Sequence, residues 1–258
     1  RCLSRGLGDV YKRQPFDLIP RILTNHEWSK IEKGVIQRTK ALNAFLADIY
    51  SSGEIFKAKI IPEEIVYKKA SFDQSMVGFS PPRKIYCPIV GVDLVRTGRD
   101  QFYVLEDNCR TPSGVSYMLE NREIMMKMFP DLFHSNRVQR VDDYPTRLLQ
   151  TLMGLAPKKC DSSIPTVVLL TPGHLNSAYY EHTFLSDQMG IEMVEASDLY
   201  VENDLVYMKT VDGPKKVDVI YRRIDDNYID PLVYNADSVI GVPGCLLYTS
   251  PSPRDKHR

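Results

Sequence analysis

No run of this 258-residue chain approaches the ~18 to 20 consecutive apolar residues that a membrane-spanning helix needs. Its first residues carry no apolar stretch of the signal-peptide kind. Charge of one sign is also lacking: 33 Lys and Arg balance 33 Asp and Glu. A dedicated nucleic-acid or membrane-surface binder would concentrate basic residues against phosphate, so both classes are disfavoured. The five cysteines are scattered with no CxxC pair, and the five histidines form no HExxH, which speaks against disulfide frameworks and histidine or cysteine zinc sites. What is present is 43% hydrophobic residues without long charge blocks, the composition of a folded protein with a sizeable core. The expectation is a soluble, cytoplasmic protein.

The two ends differ in character from the rest. Residues 1–14 and 245–258 show no clear period and resemble translated sequencing-adapter sequence joined to a truncated gene; ordinary disordered termini are the other reading. Leaving both out removes seven basic and two acidic residues and turns the neutral balance into an acidic excess. The informative text is then residues 15–244.

Within it, Trp28, Ile31, Val35, Leu42, Phe45, Leu46 and Ile49 follow a helical period, which predicts one or two amphipathic helices between Asn25 and Tyr50. Two runs rich in β-formers, Lys84 to Leu94 and Gln101 to Glu106, predict an antiparallel hairpin around a turn at 96–100. Ser113 is placed to cap a helix running to Phe129, where Pro130 stops it. Later, the short apolar run from Thr166 to Leu170 suits a strand buried on both faces. A helix over about Asn176–Met189 and a strand at Ile191–Val194 follow it, a β-loop-α-β order that implies a parallel crossover. Further strands are expected at 198–202, 205–210 and 217–223. The fold class is therefore α/β with α+β elements: a helical and hairpin lobe at 15–155 and a Rossmann-like βαβ lobe at 156–244, linked near Ala156 to Ser163.

The hairpin holds the sharpest chemical signal. Side chains alternate along a strand, so Glu106 and Asn108 project from one side and Asp107 from the other. With a turn centred near Arg99 and Asp100, Asp93 falls opposite Glu106. Two carboxylates and an amide oxygen then converge, a hard-oxygen set that suits Mg²⁺ better than zinc. Arg110, just beyond, could balance phosphate charge with its forked donors. Read from the residues alone, a solvated acidic hairpin is about equally good, because E-x-N is a short motif.

An Asp followed thirteen residues later by Glu-x-Asn-x-Arg resembles the magnesium-binding end of ATP-grasp ligases. Here it precedes the second α/β lobe, an order similar to the circularly permuted ATP-grasp family (type 2) related to glutathionylspermidine synthase. The resemblance runs through PFDLIPR (15–21), QRTKALNAFLADIY (37–50), EDNCRTPSGVSY (106–117), LLTPGHLNSAYYEH (169–182) and YRRIDD (221–226). It implies ATP-dependent carboxylate–amine ligation through an acylphosphate, with ATP and Mg²⁺ as cofactors, a small-molecule or peptide carboxylate and an amine acceptor as partners, and no nucleic acid or membrane. By that mapping Asp93, Glu106 and Asn108 are the metal ligands.

Arg222 and Arg223 end a strand, where open α/β sheets place ligands, and one of them could clamp the carboxylate or acylphosphate; a salt-bridge network with Asp225 and Asp226 is the competing reading. Gly173 and Asn176 lie in a turn that puts a helix N-terminus over the same crevice, a hint of nucleotide binding without a full GxGxxG. Gln37 and Arg38 could face the site, Tyr117 and Glu120-Asn121-Arg122 could pack a helix on the hairpin, and Cys109 reads as a small buried residue rather than a nucleophile. The phosphate-binding lysines of the resembled family would follow residue 244, so the chain is expected to be an N-terminal fragment that is a poor catalyst alone. A non-catalytic peptide-binding module is the alternative; a dinucleotide or nucleotide-sugar enzyme is disfavoured by the missing glycine fingerprint.

Overall fold

The computed structural model describes residues 19–69, 71–157 and 163–246. Most of the two expected tails, and the centre of the link near 156–163 with Cys160, lie outside the described residues. The expected tail boundary at 245 falls inside the packed region: Cys245 is buried, and the backbone N–H groups of Gly244 and Leu246 donate to the carboxylate of Asp230 at 2.9 and 2.8 Å. Among the described residues no helix is long and apolar enough to cross a membrane.

The chain is a mixed α/β protein. One helix, α1 (Asn25–Ile49), takes the place of the one or two expected. Thr24 and Glu27 close a reciprocal capping box at its start, satisfying N–H groups that have no partner within the helix. Trp28, expected on the apolar face, is 51% exposed, and Glu27 is the buried residue of that turn. Short helices α2 (Glu54–Lys57) and α3 (Glu63–Tyr67) follow, with Phe56, Tyr67, Phe72, Tyr50 and Tyr86 linked by ring contacts of 4.8–6.1 Å.

The hairpin is β1 (Gly91–Gly98) and β2 (Gln101–Asn108), antiparallel, with Asp100 taking a positive φ in its tight turn. The expected first strand began at Lys84; in the structure Lys84 ends a short 3-10 turn (Pro82–Lys84), 85–90 is irregular and the strand runs later, through Gly98. Three helices come next: α4 (Val115–Met128), α5 (Pro130–Asn136) and α6 (Tyr144–Met153). Pro130 ends one helix and starts the next, since the first helical turn has no use for the N–H that proline lacks.

The second half contains β3 (Val167–Leu170), α7 (Tyr179–Met189), β4 (Glu192–Val194) and β8 (Val219–Arg222), with strand order β4-β3-β8 and both pairings parallel. Val168, Leu169 and Leu170 in the central strand have no exposure at all. Helices α6 and α7 cover one face through Leu148, Leu152, Leu185 and Met189. A separate antiparallel meander, β5 (Leu199–Glu202), β6 (Leu205–Thr210) and β7 (Gly213–Lys216), packs with α8 (Asp226–Ile229) around the other. The turn joining β5 and β6 holds Asn203 and Asp204 at φ 50° and 61°, left-handed values that Asn and Asp tolerate best. Helix α6, assigned by sequence order to the first lobe, packs on the parallel sheet of the second.

Candidate functional site

The candidate site is built at the open end of the hairpin. Asp93 pairs directly across from Glu106, and Gly91 across from Asn108. The register slips between Asp93 and Leu94, whose partners are Glu106 and Val104, so Leu105 is an extra residue on β2. This β-bulge changes which face each later residue takes. Before it, Phe102 and Val104 are the half-buried positions of β2; after it, Asp107 is half-buried, while Leu105, Glu106 and Asn108 are exposed. Asp107 therefore meets α1, where Arg38 Nε and Nη2 donate to its carboxylate at 2.7–2.9 Å. That guanidinium holds the Asp107 carboxyl below the usual range. Asp93, Glu106 and Asn108 share the opposite, outward face.

On that face the Asn108 Nδ2 donates to Asp93 Oδ2 and to Glu106 Oε1, both at 3.2 Å. Neither carboxylate has a lysine or arginine partner among the described residues. The amide N–H₂ thus occupies the place between two anions that a cation would favour, and a half-turn of the amide would present Oδ1 there instead. Two carboxylates and a neutral oxygen, all exposed and with room for water, fit a hard divalent ion such as Mg²⁺. No group of three His, Cys, Asp or Glu side chains that could hold a metal occurs among the described residues, so any third oxygen ligand from this hairpin has to come from the amide.

Gly91 is required by what lies behind it. A Cβ there would stand 2.8 Å from Pro112 Cβ and 3.5 Å from Asn108 Cβ. Pro112 is in turn held by the second half: its carbonyl accepts Arg223 Nη1 at 2.7 Å. Arg223 is buried, with Nη2 on Glu181 Oε1 at 3.0 Å, Nη1 on the Tyr221 hydroxyl at 3.0 Å, and its guanidinium over the Tyr221 ring. Its Nε is buried without a hydrogen-bond partner among the described residues. The other Glu181 oxygen accepts the backbone N–H groups of Gly114 and Ser116 and the Ser116 hydroxyl, at 2.6–3.2 Å. This corrects the expected cap of α4: Ser113 is exposed, Gly114 takes the N-cap position, and a carboxylate more than sixty residues away satisfies the orphan donors. Beside Glu181, His182 is buried with Nδ1 2.9 Å from Thr171 Oγ1, and burial lowers its pKa to about 4. Glu181 has no role from the sequence beyond closing the 169–182 block, and His182, read there as a surface or capping residue, is buried instead.

The remaining candidates separate. Arg223 is sealed in this knot, whereas Arg222 and Arg110 are accessible and both bind Asp226. Of the expected network only the Arg222–Asp226 pair forms among the described residues; Arg223 pairs with Glu181 instead, and Arg110 is the second arginine on Asp226. Gly173 adopts φ 95°, its N–H donates to Thr171 Oγ1 at 3.2 Å, and its carbonyl accepts the Asn176 N–H. Asn176 Oδ1 accepts the Ala178 N–H, and α7 starts at Tyr179 rather than Asn176. Both residues shape the turn after β3 with their polar groups internally engaged. Gln37 is exposed. Tyr117 stacks on Tyr180 of α7, and Arg122 donates to the Gln139 carbonyl, so these two tie α4 to α7 and to the segment before α6 rather than to the hairpin. Cys109 is half-buried beside Cys87, whose thiol burial pushes up to about 12. A cleft lined by Arg83, Ile85, Pro88 and α6 residues contains none of the candidate side chains.

A parallel sheet joined to an outward-facing acidic hairpin defines the class, and comparison with known proteins gives the family. The chain belongs to the circularly permuted ATP-grasp type 2 family, whose model matches residues 20–249. It is 50% identical over 232 residues to "Uncharacterized protein sll0335" of Synechocystis sp., which covers 90% of this chain and 48% of that protein. It is 49% identical over 232 residues to "Uncharacterized protein Rv2411c" of Mycobacterium tuberculosis, covering 90% of this chain and 42% of that one. A more distant relative, "Putative glutamate--cysteine ligase 2-2" of Frankia casuarinae, is 37% identical over 243 residues, 93% of this chain and 28% of that protein. The chain thus spans about half the length, or less, of these relatives.

Proposed function

We propose that this chain forms the metal-binding and acceptor-side part of an ATP-dependent carboxylate–amine ligase. The observation that carries the proposal is the Asp93–Glu106 pair in direct cross-strand register with the Asn108 amide between the two carboxylates. Family membership and the name of the Frankia relative, a ligase of glutamate and cysteine, support the same reaction class. In this reading ATP transfers its terminal phosphoryl group to a carboxylate, and an amine then attacks the acylphosphate, releasing phosphate and forming an amide. Asp93, Glu106 and Asn108 would hold Mg²⁺, which when bound supplies neutralisation of phosphate charge. Arg110 and Arg222, on either side of Asp226, are the accessible guanidinium groups for the oxyanions of donor or nucleotide. Arg223 acts through Pro112 and Gly91 as a positioning residue for the hairpin end.

Mn²⁺ binding to the chain, followed by water proton relaxation, tests the metal site: E106A with N108A should abolish a saturable signal, and an unchanged titration would overturn the assignment. In a protein that carries this chain at the length of its relatives, release of ADP and phosphate should need both a carboxylate and an amine and should vanish in the same double variant. Peptide binding that persists there, with no nucleotide turnover in the unaltered protein, would favour the non-catalytic module.

A further inference from the structure

We infer that Asp226 is an internal stand-in for an oxyanion ligand, held between Arg110 of the hairpin half and Arg222 of the parallel sheet. One Asp226 oxygen, Oδ2, accepts Arg110 Nε at 3.0 Å and Nη2 at 2.8 Å; the other, Oδ1, pairs with Arg222 Nη2. Two guanidinium groups from segments more than a hundred residues apart are thus turned onto one carboxylate. Arg222 does not depend on that carboxylate for its pose, because its Nη1 donates to the Ile224 carbonyl at 2.7 Å. If Asp226 swings away, that fork stays in place.

Exposure separates this cluster from the other arginine–carboxylate pair nearby. Arg223 and Glu181 are 2% and 1% exposed at their side chains, so no solute reaches them. Arg110, Arg222 and Asp226 are 52%, 28% and 36% exposed, and exposed pairs of this kind are weak enough for a soluble anion to compete. The cluster also lies at the C-terminal end of β8, next to the end of β3, the edge at which open α/β sheets accept ligands. Neighbouring acids are arranged differently: Asp73 accepts the Tyr234 hydroxyl at 2.6 Å, and Asp225 is an exposed N-cap residue with no side-chain capping bond. Asp226 is the one whose carboxylate fills the space between both forks.

The ligand this geometry takes is a planar carboxylate or a phosphate, each able to accept from two guanidinium groups at once. Only the ligand's place in the reaction rests on the ligase reading; anion binding itself is measured without metal or nucleotide. The experiment titrates the 258-residue chain with glutarate and, separately, with inorganic phosphate, following arginine Nε–H resonances. D226N should bind one of the two on the order of tenfold more tightly than the unaltered chain, the expected gain when a competing pair of exposed ion contacts is removed. R110Q added to D226N should abolish the gain. Tightening for glutarate alone identifies a carboxylate site, and tightening for phosphate alone a phosphoryl site. A D226N chain that folds, as judged by its melting curve, yet gains affinity for neither anion overturns the inference; D226S is carried in parallel so that one unfolded variant does not decide it. The Mn²⁺ titration at Glu106 and Asn108 is independent, so failure here and failure of the metal site are distinguishable.

Discussion

The two halves of the molecule are held together by different physics. From Leu148 onward, two apolar clusters enclose the parallel sheet, with Leu169, Leu170, Leu185 and Val242 at or below 1% exposure. Before it, buried apolar side chains are few: Ile49, Phe56, Leu119 and Met125. The hairpin lies along α1 through polar contacts instead: Arg96 with Glu27, Lys30 with the Asp100 carbonyl, and Arg38 with Asp107. Burial fixes the sheet at any ionic strength, whereas ion pairs whose guanidinium groups are 42–44% exposed are weakened by salt. The half that presents the candidate metal ligands is therefore the one anchored by replaceable interactions. A sealed attachment joins it to the other half, where Arg223 and Glu181 hold the Pro112 carbonyl and the N–H groups of Gly114 and Ser116.

Breaking that knot should have the largest effect. Glu181→Ala leaves Arg223 buried without its counter-charge and strips the cap from α4, and should cost about 3–5 kcal/mol in urea unfolding. An effect as small as that of a surface change would show that the halves do not depend on each other. A second difference lies in pH response. His182 is neutral in the fold, with a pKa of about 4 against 6.5 for the unperturbed group. The unfolded chain therefore binds the extra proton first, and stability falls as pH drops from 6.5 toward 4 by on the order of 3 kcal/mol, with no contribution above 6.5. His182→Gln should flatten that part of the stability–pH curve; an unchanged slope would assign it to carboxylates.

Smaller effects are expected in the hairpin. Deleting Leu105 removes the bulge but places Glu106 directly after Val104, still opposite Asp93 and facing outward, so Mn²⁺ binding should persist and the α/β half should keep its unfolding transition. Loss of metal binding in a folded deletion variant would show that the pairing of Glu106 with Asp93 is not enough to form the site. Arg38→Ala should lower the melting temperature slightly in low salt and by less in about 0.5 M NaCl, because the guanidinium is 44% exposed and open to screening while Asp107 is 12% exposed. The smallest effect on stability belongs to Glu106→Ala, which should leave the melting temperature unchanged while metal binding is lost.

Much of the fold was legible because it is written in local periods. Alternation and the turn residues around Arg99 and Asp100 place Asp93 opposite Glu106, a pairing the structure keeps because the register shift between Arg96 and Gly98 is offset by the one at Leu105; the apolar run at 166–170 with the helix after it was enough to imply a parallel crossover. Helix α6 was not legible as part of the second half, since its apolar face can be matched to a sheet only in three dimensions. Nor was the cap of α4: Ser113 is the residue type that caps helices, and nothing near it in the chain shows that Glu181 will reach the N–H groups first. The fates of Arg222 and Arg223 were likewise hidden. Adjacent strand residues point to opposite sides, so one is accessible beside Asp226 and the other enters the knot.

By itself the sequence determined the class of structure and the identity of the three candidate metal-binding residues, because residue type, spacing and alternation are properties of neighbours along the chain. Tertiary structure alone decided that those residues face outward. The bulge at Leu105 sets their side of the hairpin, and contacts from α1 and from the Arg223 knot hold that side open. Such choices depend on which distant groups meet, and one extra residue in a strand of period two is enough to reverse them.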